Sequence, residues 1–221
     1  MPGATSSRVF FIVVFSQFCG TSLWFATNAI LPQLQSQYGW ESSALGHLTS
    51  VIQLGFIIGT LVFALSGITD RISPSKIFFV SSLIAAACNA LVLLDDSSFG
   101  LVLISRGLTG FFLAGIYPVG MKIAADWNEQ GLGHWLGALV GALVLGTAFP
   151  HALKLIPQFI DPTVLVTSVS FLAIVGGCSI YLFVQDGPYR KPATRFSFSE
   201  IKSVFKTSSF RAPAFGYFGH M

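Results

Sequence analysis

The sequence predicts an all-α integral membrane protein, and three observations carry that reading. Charged residues make up 10% of the 221-residue chain, against roughly 25% in soluble proteins. Hydrophobic residues reach 53%, and phenylalanine alone occurs 22 times. The apolar residues fall into six long runs almost free of charge. A bilayer solvates such runs, provided each closes its own backbone hydrogen bonds as a helix.

The spans predicted are residues 9–32, 46–66, 76–94, 99–123, 132–155 and 163–185. At 1.5 Å per residue even the third covers about 28 Å, close to the hydrocarbon thickness. The first could be mistaken for a signal peptide. Residues 10–40 carry no Asp, Glu, Lys or Arg, however, and such a run is far longer than a signal core. It reads as a retained first helix. Cys19, Cys88 and Cys178 all sit inside apolar runs without short Cys or His spacing, so no disulfide framework, zinc site, other metal or cofactor is expected. No basic run with interleaved aromatics suits nucleic acid.

Orientation follows from Lys and Arg. With the N-terminus in the cytoplasm, Arg8, Arg71, Lys76, Lys122, Arg190, Lys191, Arg195, Lys202, Lys206 and Arg211 all fall at or beyond the inner face. The outer side keeps Arg106 and Lys154, while its loops carry Glu41, Asp95, Asp96 and Asp161. The asymmetry requires an even number of spans before residue 190 and agrees with six. The domain reading is a six-helix unit over 1–185, a basic cytoplasmic linker over 186–210, and the start of a seventh helix over 211–221, cut short. In the linker, Phe198, Ile201 and Phe205 fall at helical spacing and suit an amphipathic helix on the inner leaflet, or a solvated linker.

Several residues stand out as candidates. In span one Gln17, Thr21, Trp24 and Asn28 are spaced four, three and four apart, and Gln53 in span two extends the polar set. Polar groups in lipid need partners, so the stripe either lines a solute cavity or makes interhelical hydrogen bonds. In span four Arg106, Gly110, Leu113, Tyr117 and Met121 share one face of a continuous helix. A buried arginine there is expensive. It is either functional or an interfacial anchor. Lys122 closes that helix, as a C-terminal cap or as a substrate ligand. In span five Gly133, Gly137 and Gly141 form a smooth ridge suited to close helix packing. His151 reads as a wet interfacial residue.

Between spans two and three the chain reads Ser66-Gly-Ile-Thr-Asp70-Arg71-Ile-Ser-Pro-Ser-Lys76. This resembles the loop between the second and third helices of the major facilitator superfamily, whose pattern is Gly-x-x-x-Asp-Arg-x-Gly-Arg-Arg/Lys. Asp70 and Arg71 match; Ser66 replaces the first glycine with Gly67 one step late; Ser73 replaces the second. Arg106 and Gly110 match that family's Arg-x-x-x-Gly motif in the fourth helix. Gly137 and Gly141 match only the start of the antiporter motif, because Ala142 replaces its proline. Tyr117 through Trp127 resembles a pattern of anion-handling branches of that family, and the stretch from Pro118 to Pro150 is similar to nitrate- and cyanate-type permeases, without the nitrate-porter Gly-Asn signature.

The resemblance implies the N-terminal six-helix half of such a fold, built of two inverted three-helix repeats, in the plasma or inner membrane. It implies secondary transport of a small solute, weakly a small anion, with proton as a coupling partner. Asp70, Arg71 and Lys76 would form the gating loop. Arg106, Gln17, Trp24, Asn28, Gln53, Tyr117 and Lys122 would line the substrate or proton pathway. A missing C-terminal six-helix half would complete it. The alternative is a half-transporter or membrane subunit that moves nothing alone. An intramembrane serine protease is disfavoured, because no Gly-x-Ser-Gly turn occurs and the sixth span has no histidine.

Overall fold

The computed structural model describes residues 2–94, 98–129, 131–190 and 211. The acidic loop at 95–96, most of the linker and the expected start of a seventh helix lie outside the described residues. Within them the fold is all-α, with six helical spans long and apolar enough to cross a membrane.

Span one is two helices, α1 (Pro2–Thr21) and α2 (Ala26–Tyr38), separated by turns at 22–25. This corrects the single helix expected over 9–32. Two hydroxyls bond back at the break. Thr21 Oγ1 donates to the Gln17 carbonyl at 2.8 Å and Ser22 Oγ to the Cys19 carbonyl at 2.6 Å. Such bonds compete with the helical ladder. The backbone then tightens, with Trp24 N donating to Thr21 O, and the carbonyls of Leu23 and Trp24 are released.

Span two is α3 (Ala44–Ser66), ended by Gly67 at φ +60°. That left-handed backbone favours glycine, which is why the loop's glycine stands at 67 and not at 66. One turn, α4 (Ile68–Arg71), carries Asp70 and leads to span three, α5 (Pro74–Ala90), with Pro74 in its first turn.

Span four also breaks, into α6 (Phe99–Leu113) and α7 (Tyr117–Trp127). Pro118 has no N–H for the carbonyl four residues back, so the ladder fails at 114–116. Arg106 and Gly110 therefore do not continue onto one face with Tyr117 and Met121. Spans five and six are α8 (Leu132–Leu153) and α9 (Pro162–Phe183), the latter capped by Asp161 accepting from Thr163 N at 2.7 Å.

The packing has an internal symmetry. Span two packs on span four, and span five on span one. Span three packs on span four, and span six on span one. Spans three and six pack on each other. Exchanging one with four, two with five and three with six maps these contacts onto themselves, as two three-helix repeats require. Glycines mark the equivalent crossings. A Cβ on Gly59 would run into the Phe111 carbonyl, and one on Gly146 would meet the Phe18 carbonyl. Four residues earlier, Gly55 meets the Gly107 carbonyl, and the position matching it in span five is buried Ala142. Gly141 lies one residue off that register.

Candidate functional site

Two polar groupings emerge, one inside the bundle and one at an end. The inner one is centred on Arg106, which is 0% exposed. Its Nη2 donates to the carbonyls of Leu23 at 2.9 Å and Trp24 at 2.7 Å, and its Nη1 donates to Asn89 Oδ1 at 2.7 Å. Asn89 Nδ2 passes the chain on to Ser170 Oγ at 2.9 Å. Spans one, four, three and six are thus joined by one run of hydrogen bonds. The interfacial-anchor reading of Arg106 fails, because the guanidinium is enclosed. Its three donor contacts go to the broken backbone of span one and to an amide. Among the described ion pairs no carboxylate faces it.

The predicted stripe divides at the break. Gln17 is fully buried against Gly120 of α7, and neither amide atom has a partner among the described residues. Thr21 faces Gly146 of α8. Trp24 instead packs its ring against Phe56 of α3, with centroids 4.8 Å apart and the planes tilted by 51°, and Asn28 Nδ2 donates to Thr49 Oγ1 at 2.9 Å. Four residues expected on one face therefore serve three neighbouring helices. Gln53 is exposed on α3, and Tyr117 is half-buried at the start of α7.

The second grouping lies where α4, α7 and the end of α9 meet. Lys122 Nζ stands 2.8 Å from Asp70 Oδ1 and 4.0 Å from Asp126 Oδ1. Arg190 donates through Nη2 to the carbonyls of Asp70 at 3.1 Å and Ile72 at 3.0 Å, and through Nη1 to the Asp186 carboxylate. Ser73 Oγ donates to Asp186 at 2.6 Å, Ser75 Oγ to the Val184 carbonyl at 2.8 Å, and Trp127 Nε1 to the Gln185 carbonyl at 3.1 Å. The segment 184–190 is strapped across the hinge loop and the end of α7. Arg71 and Lys76 are exposed and stand outside this network. A cleft of about 160 Å³ opens beside the ion pair, lined by Thr60, Phe63, Thr69, Pro118 and Lys122 among others. Thr60 Oγ1 in its wall is buried without a partner among the described residues.

The glycines also separate. Gly110 packs so closely that a Cβ would strike the Ile52 carbonyl. Gly133, Gly137 and Gly141 are exposed, and a Cβ on any of them meets nothing within 4 Å. Their ridge makes no helix contact among the described residues.

Sequence reasoning passed over Asn89, Asp126, Asp186 and the capping role of Arg190. The spacing four apart of Lys122 and Asp126, and of Asp186 and Arg190, was available as a signal. So was a lone amide in the apolar run of span three.

A bundle of six apolar spans, with matching breaks in the first helix of each three-helix unit, defines a multi-pass membrane protein of the transporter class. The family profile of the Major Facilitator Superfamily matches residues 13–220, and the chain belongs to that family, whose members move solutes across membranes. No curated protein matches it.

Proposed function

We propose that the chain forms the N-terminal six-helix half of a secondary transporter that moves a small anion by alternating access. The observation that carries this reading is the Asp70–Lys122 contact at 2.8 Å. It ties the hinge loop between spans two and three to the far piece of the interrupted span four. A half-exposed ion pair of this kind is held weakly, with about 0–1 kcal/mol at stake, so it suits a latch that must open in every cycle. Asp70 is the latch acceptor, and Lys122 is exchanged between Asp70 and an anion entering the adjacent cleft, where the Thr60 hydroxyl is free to bond. Arg71 and Lys76 set the local positive field.

Gln17, Trp24, Asn28, Gln53, Tyr117 and Arg106 belong in this reading to the pathway and its moving wall, with proton as the coupling ion. Positive charge at the Asp70 end supports a cytoplasmic side for that end and for the N-terminus, and the same reading sets the chain in a plasma or inner membrane. Spans two and five are the least buried. They and the glycine ridge of α8 make the face for a second six-helix unit, the opposite wall of the cavity.

The test is anion counterflow into proteoliposomes by the full-length protein, across a panel of small anions, with Asp70→Asn and Lys122→Gln. Each single change is expected to cut transport at least tenfold, and the exchange of the two residues to restore part of it. Unchanged uptake by Asp70→Asn sinks the latch.

A further inference from the structure

We propose that the cleft between α1 and α9, at the Asp70 end of the bundle, holds an anionic phospholipid. The cleft has a volume of about 480 Å³ and is lined by Arg8, Phe11, Ile12, Phe15, Ser179 and Phe183. Its walls are apolar and turned outward: Phe11 is 69% exposed, Phe15 44% and Phe183 53%. In a membrane-spanning chain that face meets lipid, so the occupant has at least one hydrocarbon chain.

The cation at its mouth fixes the headgroup. Arg8 lies near the start of span one, at Ser6, where the apolar run meets the headgroup region. Its guanidinium sits over the Phe183 ring, 5.6 Å from the centroid, a cation–π contact that holds the side chain against the cleft wall. Among the described residues the ion pairs engage Asp70, Asp126 and Asp186 and leave Arg8 without a carboxylate. Ser179 contributes no free donor, since its hydroxyl proton goes to the Val175 carbonyl at 2.8 Å. Arg8 is therefore the donor for the phosphate, and its planar fork matches two phosphate oxygens. The acyl chain lies along Phe11 and Phe15. A basic residue between helix ends is the geometry in which anionic headgroups are held. The inference rests on the membrane-spanning fold and on spans one and six standing clear of the face proposed above for a second unit, and not on the transported solute.

Native mass spectrometry of the full chain, released from neutral detergent, tests it with three probes: phosphatidylglycerol, phosphatidylcholine, and glycerol phosphate without acyl chains. Phosphatidylglycerol is expected to be retained about fivefold better than phosphatidylcholine, the effect of one basic residue near a membrane surface. Arg8→Gln should erase that preference, Arg8→Lys should keep most of it, and Phe11→Ser with Phe15→Ser should weaken retention of both lipids. Equal retention of the two lipids by the wild-type chain overturns the proposal, and this arm stands whether or not Arg8→Gln folds. So does a preference that survives Arg8→Gln. Retention of glycerol phosphate as strong as that of the lipid overturns it in favour of a free-anion site.

Discussion

Gly20 lies directly beneath Ile116: a Cβ on Gly20 would stand 2.6 Å from Ile116 Cγ2. Gly20 is two residues before the turns of span one, and Ile116 is in the break of span four. The break of span four therefore rests on span one just before its own break, and Arg106, in α6, holds the two carbonyls that the span-one break releases. In transporters built of inverted repeats, interrupted helices in matching positions mark the moving and binding region. Here the break of span one is held by a side chain whose hydrogen bonds are all internal.

Arg106→Gln is expected to destabilise the bundle by about 3 kcal/mol, since the carbonyls of Leu23 and Trp24 lose a charged donor inside the protein. Arg106→Lys should recover only part, because an ammonium lacks the planar fork that reaches both the carbonyls and Asn89. Thermal unfolding of the purified chain in detergent measures both. Wild-type stability in Arg106→Gln would remove the knot from the account of how span one is held.

Gly59→Ala and Gly146→Ala should each cost about 1–3 kcal/mol, because the added methyl meets backbone carbonyls that cannot move aside cheaply. The two costs should be alike, as the internal symmetry demands. Gly137→Ala, facing open space, should change stability by less than about 0.5 kcal/mol. The same unfolding assay ranks them. A large effect at Gly137 with small effects at the other two would reverse the packing assignment.

Arg190→Lys keeps the charge and loses the fork that grips the Asp70 and Ile72 carbonyls. The strap over 184–190 should then open more often, and trypsin should cleave after position 190 several-fold faster. The global melting temperature should stay nearly constant, because the residues involved are half exposed. Equal cleavage rates would show that the strap is held by Asp186 and Ser75 without Arg190.

The class and the span count were legible because burial in lipid demands long apolar runs, and nothing in the sequence disguises them. The Asp-Arg hinge and the arginine of span four were legible for a related reason: charges are rare enough here that each one stands out. The helix breaks were harder to see. Thr21 and Ser22 look like ordinary polar residues, and a helical wheel drawn through 17–28 assumes a continuity that the turns at 22–25 remove. Spacing four apart identifies a ridge but not which neighbour it meets: Gly55 and Gly59, also four apart, face carbonyls of span four, whereas Gly133, Gly137 and Gly141 face no helix among the described residues.

The bond between Arg106 and the Trp24 carbonyl spans 82 positions. A ribosome adds about 5–20 residues per second, so the arginine follows Trp24 into the membrane by roughly 4–16 s. During that delay span one sits in the bilayer with two open carbonyls and no donor. The first three helices are thus an unfinished object while the fourth is being made, and the hydrogen bonds that hold the break of span one close only once Arg106 has followed.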